Sequence, residues 1–260
     1  MDSLAYKIYP SQKTPLVLLH GFCENNKIWN TLAQHLSKNY EIICPDLSGF
    51  GESPLNIRPY SIENLAEELN TLFIKLAIEK CILIGHSMGG YVSLAFAEKY
   101  PEKIAGLGLF HSTAFADTEQ KQETRTKASA FIRENGTKKF ASSLFPSLYS
   151  EENRKALSSN IETLVEEAAK IPAENAAIAM EAMRDRPDRR HVISKLEVPI
   201  LYIMGQSDTA VPVEQNVQEC FYAKDSTLVA LENTGHMGMF EAPQVVTKRI
   251  KEFLKYCHQS

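Results

Sequence analysis

Cysteine is sparse and unpatterned in this chain. The five residues, Cys23, Cys44, Cys81, Cys220 and Cys257, are odd in number and show no C-x-x-C spacing. They read as reduced thiols of a cytoplasmic protein, mostly buried as small hydrophobes. Positive charge is not in excess either. With 28 Lys and Arg against 32 Asp and Glu, the formal net charge of −4 leaves no basic face for nucleic acid or an anionic membrane. No apolar run approaches the roughly 20 residues needed to cross a bilayer, and residues 1–13 carry no signal-peptide core. The seven histidines are scattered, without H-E-x-x-H or a Cys/His cluster, so no catalytic metal is expected. Gly49-Phe50-Gly51 lacks the third glycine of a dinucleotide fingerprint and runs into Pro54, so no cofactor is expected. Internal repeats and low-complexity tracts are also missing. These absences leave a small-molecule partner, bound by a monomer or a homodimer.

What is present is an alternation. Apolar strand-like runs at residues 16–19, 41–44, 81–84, 104–110, 200–204 and 227–231 alternate with helix-like segments at 28–36, 62–76, 88–100, 212–221 and 243–256. Nearly continuous apolar strands separated by helices predict an α/β fold, a doubly wound and mostly parallel sheet with helices on both faces. The alternation stops between Phe115 and Arg190, where only charged helical segments occur. One of them spaces Leu157, Ile161, Leu164, Val165, Ala168 and Ile171 at helical intervals. The expected organisation is a core in two parts, 1–114 and 191–260, interrupted by a helical cap, 115–190, over the carboxyl edge of the sheet. Asn135-Gly136-Thr137 matches a glycosylation sequon but is read as a helix end.

The chemistry starts at Gly85-His86-Ser87-Met88-Gly89, which follows an apolar strand and opens an apolar helix stopped by Pro101. A serine in that turn sits on strained backbone with its hydroxyl above the sheet, and glycines are needed where a Cβ would collide. Asp208 and His236 each follow a predicted strand, so both open on the same edge as Ser87. Their order, Ser87, Asp208, His236, is that of a nucleophile–acid–base triad on a doubly wound sheet. Taken singly, Asp208 fits a helix cap ahead of Pro212 and His236 a loop histidine bonded to backbone. The strand at 16–19 ends in His20-Gly21-Phe22-Cys23. There the amide of Phe22, with that of Met88, can form an oxyanion hole, while His20 holds the loop.

Together these segments resemble the α/β-hydrolase superfamily, and in particular its short-capped esterase-like members. The resemblance rests on His20-Gly21-Phe22, on Gly85-His86-Ser87-Met88-Gly89-Gly90, on the loop from Asp46 to Ser53 and on the stretch from Gly235 to Pro243. In the Asp46 loop a serine, Ser48, stands where proline is usual. Within the cap only Met183-Arg184-Asp185-Arg186-Pro187-Asp188 has a recognisable character, that of a return to the core. The resemblance implies a serine hydrolase cleaving a small, mainly apolar carboxylic ester. Carbon–carbon or lactone hydrolysis, cofactor-free perhydrolysis, or a receptor with little turnover are the alternatives on the same triad. Expected pocket residues are Cys23, His111, Phe115, Met180 and Met237, with Phe131, Phe140, Phe145 and Met183 as further apolar candidates.

Overall fold

The computed structural model describes residues 4–11 and 14–259, so part of the leader reading of residues 1–13 lies outside the described residues. Seven strands form one sheet: β1 (Tyr6–Tyr9), β2 (Leu16–Leu19), β3 (Ile42–Pro45), β4 (Cys81–His86), β5 (Ile104–Phe110), β6 (Ile200–Gly205) and β7 (Ser226–Leu231). Their order is β1-β3-β2-β4-β5-β6-β7; β1 pairs antiparallel with β3 and every other pairing is parallel. Strands β2, β3 and β4 are fully buried, which is why their sequences carry apolar residues at every position. The edge strand β7 is different: Ser226, Thr227 and Leu228 are exposed, so the two-sided cover expected from the sequence does not reach it.

The helices are α1 (Asn30–Leu36), α2 (Ile62–Lys75), α3 (Met88–Lys99), α4 (Glu119–Asn135), α5 (Thr137–Leu148), α6 (Glu151–Arg154), α7 (Ser158–Ala168), α8 (Ala173–Asp185), α9 (Arg190–Lys195), α10 (Val213–Cys220), α11 (Gly238–Glu241) and α12 (Pro243–Cys257). Helix α2 begins where Ser61 caps the amide of Asn64, and it buries Leu65, Leu69, Leu72 and Phe73. Helix α3 is apolar nearly all round because it is buried against α2, β4 and β5, and Pro101 follows its last residues. Helices α4 to α8 make up the cap between β5 and β6. Gly136, at φ +84°, closes α4 and opens α5, as the sequon reading required. Helix α7 buries Ile161, Leu164 and Ala168, three of the positions in the predicted stripe.

This strand order fixes the place of the site. From β2 the chain crosses to β3 on one side and then to β4 on the other, so β2 and β4 flank the switch point where an open α/β sheet forms its crevice. The register aligns Leu19 with Gly85 and His86 with Phe110. The loops that begin at His20, Ser87 and His111 therefore leave the sheet at one level.

Candidate active site

Ser87 lies between β4 and α3 at φ +50°, ψ −114°, a conformation that costs an L-residue about 1–3 kcal/mol. Its surroundings enforce it. The Ser87 amide donates to the Phe110 carbonyl at 3.0 Å, and the Ser87 carbonyl accepts from Ser112 Oγ at 2.7 Å. A Cβ on Gly85 would overlap the Gly89 carbonyl, and one on Gly89 would lie 2.6 Å from the carbonyl oxygens of Leu19 and His20. The two glycines let strand, helix and the β2 loop approach closely enough to force the turn.

Asp208 and His236 meet at that edge. His236 Nδ1 lies 2.7 Å from Asp208 Oδ2, and both side chains are buried. The carboxylate is held at every lone pair that matters. Oδ1 accepts the amides of Ala210 and Val211 at 2.8 and 3.0 Å, and Oδ2 also accepts from His111 Nδ1 at 3.0 Å. Asp208 is therefore no cap of α10, whose N-cap is Pro212. Burial opposes its ionisation, but the charge of His236 and the hydrogen bonds from His111 and His236 keep its carboxyl far below the usual range. His111 Nε2 accepts the Gly238 amide at 3.2 Å, which leaves the proton on Nδ1, facing Asp208. Burial brings His111 down to about 4, so it stays neutral. The three groups His111, Asp208 and His236 could by proximity hold a metal ion. Both Nδ1 atoms, however, spend their protons on Asp208 Oδ2, and the carboxylate oxygens are already occupied.

A second buried network ties the loops together, and sequence reasoning missed it. His86 Nδ1 lies 2.9 Å from Glu24 Oε2, and His86 Nε2 donates to the backbone oxygen of His236 at 3.0 Å. Glu24 Oε2 also accepts the Gly21 amide at 2.6 Å. Both ring nitrogens of His86 face acceptors, so the ring is an imidazolium against a carboxylate. Burial alone would discharge the pair. The charge and hydrogen bonding of each partner instead raise His86 and lower Glu24. One ion pair thus connects the loop from His20 to Glu24, the Ser87 turn and the His236 loop. His20 has the structural role expected of it: Nδ1 donates to Gly21 O and Nε2 accepts the Leu47 amide.

Ser87, His236 and Phe22 all open on a cavity of about 620 Å³ between core and cap. Phe140, Leu144, Leu148, Met180 and Met183 supply an apolar wall from the cap. Met180 is thus where the sequence put it, but four other expected pocket residues are not on this wall. Cys23 is buried at φ +59°, its thiol raised well above the ordinary value by burial and by Glu24. His111 sits beneath Asp208, Met237 is fully buried in the His236 loop, and Phe115 lies under the Arg190 guanidinium, 4.4 Å from its ring centre. For Cys23, His111 and Met237 chain proximity to a site residue misleads, because these side chains are buried in the core, whereas the half-buried Phe115 is taken up by Arg190. The cap also clasps the His236 loop directly. His236 N donates to Leu148 O at 2.6 Å, and Glu241 accepts the amides of Gly235, Met237 and Ser150.

Comparison with known proteins agrees with this architecture. A family model for the alpha/beta hydrolase fold matches residues 14–243. The structure of a thermophilic esterase from Thermogutta terrifontis, with malate bound, superposes with a TM-score of 0.92 at 32% identity, covering 98% of this chain and 94% of that one. The 3-oxoadipate enol-lactonase 2 of Acinetobacter baylyi is 24% identical over 97% of this chain and 93% of its own length. The dihydrolipoyllysine-residue acetyltransferase component of the acetoin cleaving system of Pseudomonas putida is 29% identical over 93% of this chain, which spans 64% of that protein. With a family model over most of its length, a seven-stranded sheet of the matching kind and a serine at the strained turn, the chain belongs to the alpha/beta hydrolase family.

Proposed function

We propose that this protein is a serine hydrolase that cleaves a small carboxylic ester through an acyl-enzyme. The observation that carries the reading is the 2.7 Å contact between His236 Nδ1 and Asp208, made in a strand-end loop beside the strained Ser87. With its Nδ1 proton committed to Asp208, the imidazole keeps a lone pair on Nε2 for the serine hydroxyl. Ser87 Oγ then attacks the ester carbonyl while His236 takes its proton. The amides of Phe22 and Met88 stabilise the tetrahedral oxyanion. Met88 is the first residue of α3, where helix amides have no intrahelical partner. Collapse expels the alcohol, protonated by His236, and leaves the acyl group on Ser87. Water, activated by the same imidazole, attacks that acyl group, releases the acid and restores the serine. Kinship with an esterase and an enol-lactonase supports this chemistry, since opening a lactone is the same attack with a tethered leaving group.

Ser87→Ala should lower hydrolysis of p-nitrophenyl acetate and butyrate by at least about 10⁴-fold. An aryl phosphonate should label the protein once, on the peptide holding Ser87. Undiminished turnover in the variant would remove Ser87 from the mechanism.

A further inference from the structure

The cavity wall facing Tyr91 carries charge that the protein does not balance. Lys121, Arg125 and Arg186 all line it, with Asp117 as the acid among them. Three cations against one carboxylate leave a formal surplus of two positive charges (3 − 1). Glu24, the other acid on the wall, is already paired with His86. Asp117 is shared three ways. It forms an ion pair with Arg125, lies 2.8 Å from Arg186 Nη1 and 4.0 Å from Lys121 Nζ.

Backbone carbonyls take part of this donor capacity: Arg186 Nη1 donates to Met183 O at 2.6 Å, Arg186 Nη2 to Phe115 O at 3.0 Å and Lys121 Nζ to Ala210 O at 2.9 Å. Two guanidinium donors still lack an oxygen acceptor among the described residues. The Arg186 side chain is only 3% exposed, and its Nε finds no acceptor among the described residues. Arg125 Nη1 faces the thioether sulfurs of Met180 and Met183 at 3.5 Å, which are weak acceptors. Arg186 spans the Tyr91 ring with its guanidinium carbon 3.8 Å from the centre. Burial would raise the Tyr91 hydroxyl, yet Arg186, Lys121 and Arg125 together bring it below its ordinary value, which registers a positive potential in this lobe. Burying cations without counter-charge is costly, and the Arg125 guanidinium, whose Nη1 has only thioether partners, together with the Lys121 ammonium suits a carboxylate.

We infer that the lobe formed by Lys121, Arg125, Arg186 and Tyr91 is a subsite for a carboxylate carried by the substrate, so that the preferred ester is anionic. Resting on the ester-hydrolase reading, this changes its expected substrate: apolar along Phe140, Leu144 and Leu148, but charged at one end. Tyr91 follows Ser87 by four residues on α3, about 6 Å of helix rise, so a short carbon spacer separates ester carbonyl and carboxylate.

Phenyl hydrogen glutarate and phenyl pentanoate, esters of equal acyl length, distinguish the two kinds of substrate on the whole protein. The wild type should prefer the anionic ester in kcat/KM by about 10- to 100-fold, the worth of a charge-assisted hydrogen bond or two. Glutarate should inhibit pentanoate hydrolysis competitively, less so as salt rises. Lys121→Gln and Arg125→Gln should each reduce the preference about tenfold, chiefly through KM. Arg186→Lys extends the series without removing the cap's buried cation. Equal rates for both esters with no inhibition by glutarate would overturn the subsite while leaving the hydrolase intact. If Ser87→Ala hydrolyses both esters as well as the wild type, or neither ester is turned over, the hydrolase reading falls instead. Calorimetric titration with glutarate then still decides the subsite. Binding that is lost in the Lys121→Gln/Arg125→Gln double variant supports it, and absent or unaltered binding rejects it.

Discussion

The floor of the cavity and its cap use polar side chains in opposite ways. On and beneath the floor, His20, Glu24, His86, His111 and Asp208 are buried, each bonded to side chains or backbone of the core. On the cap wall, Lys121, Arg125 and Arg186 crowd around a single carboxylate, and Arg125 Nη1 and Arg186 Nε find no oxygen acceptor among the described residues. A group that must act on every substrate is fixed by redundant bonds, so its geometry does not depend on what enters. A group that selects a substrate gains by leaving a bond unmade until the ligand supplies it.

The floor side of this contrast breaks most severely at Asp208. Asp208→Asn replaces an acceptor shared by two imidazoles with an amide that can turn a donor toward them. His236 then loses the bond that fixes its tautomer, and kcat for p-nitrophenyl acetate should fall roughly 10⁴-fold with little change in KM. A loss of tenfold or less would mean that His111 or the Ala210 and Val211 amides hold the loop without the carboxylate's charge. Glu24→Gln comes next. It uncouples His86 from the loop that runs from His20 to Glu24 and leaves a buried ring without its counter-ion, a change of about 3 kcal/mol in stability where a buried pair is broken. Chemical denaturation should show that loss, and kcat should fall about tenfold because Gly21 and the His236 carbonyl share the network. Wild-type kcat in this variant would reduce the pair to a scaffold.

The hinge between the two regions offers a pH test. Glu219, on α10, accepts from Thr113 Oγ1 and the Ala114 amide where the chain leaves β5 for the cap. Burial raises its carboxyl to about 7. A raised carboxyl favours the protonated native form. Its contribution is therefore complete below the ordinary value near 4.5 and is lost as pH climbs through about 7. Glu219→Gln keeps the acceptor and removes the titration. It should equal the wild type near pH 4 and exceed it by up to about 3 kcal/mol at pH 8. Parallel stability–pH curves for the two proteins would show that Glu219 does not titrate in this range.

How much of this was legible in the sequence follows the same divide. Strands β2, β5 and β6 could be read because burial on both faces demands apolar residues throughout, and β5 matched its expected limits, 104–110. Strand β4 ran on to Gly85 and His86 only because those residues pair with Leu109 and Phe110, a tertiary fact that local propensity does not carry. Ser87, Asp208 and His236 were legible because each follows a strand, and parallel strands bring their ends to one edge. Glu24 and His86 were not, since their meeting depends on the close approach of β2 and β4, not on spacing along the chain. The cap cations were hidden for a different reason. Lys121 and Arg125 lie on α4, otherwise a strongly charged surface helix, and Arg186 lies 61 residues beyond Arg125 (186 − 125). Nothing in the pattern of α4 separates the two cations that face the cavity from those that face solvent.

The smallest expected effect isolates the cap from the floor. Gly136 joins α4 to α5 at φ +84° and ψ 159°, and a Cβ placed there meets nothing within 4 Å. Gly136→Ala therefore carries no packing penalty, only the conformational cost of an L-residue in a region that glycine tolerates, about 1 kcal/mol at the low end of such strain. For a chain of 260 residues that corresponds to a fall in Tm of about 2–4 °C. The two helices it joins carry Lys121, Arg125, Phe140 and Leu144, all on the cavity wall, whereas Ser87 and Asp208 lie on the core side. If recognition belongs to the cap and chemistry to the floor, KM for the anionic ester should rise more than kcat changes. An equal fall in kcat for charged and neutral esters would show instead that the clasp from Leu148 and Ser150 to the His236 loop transmits cap strain into the triad.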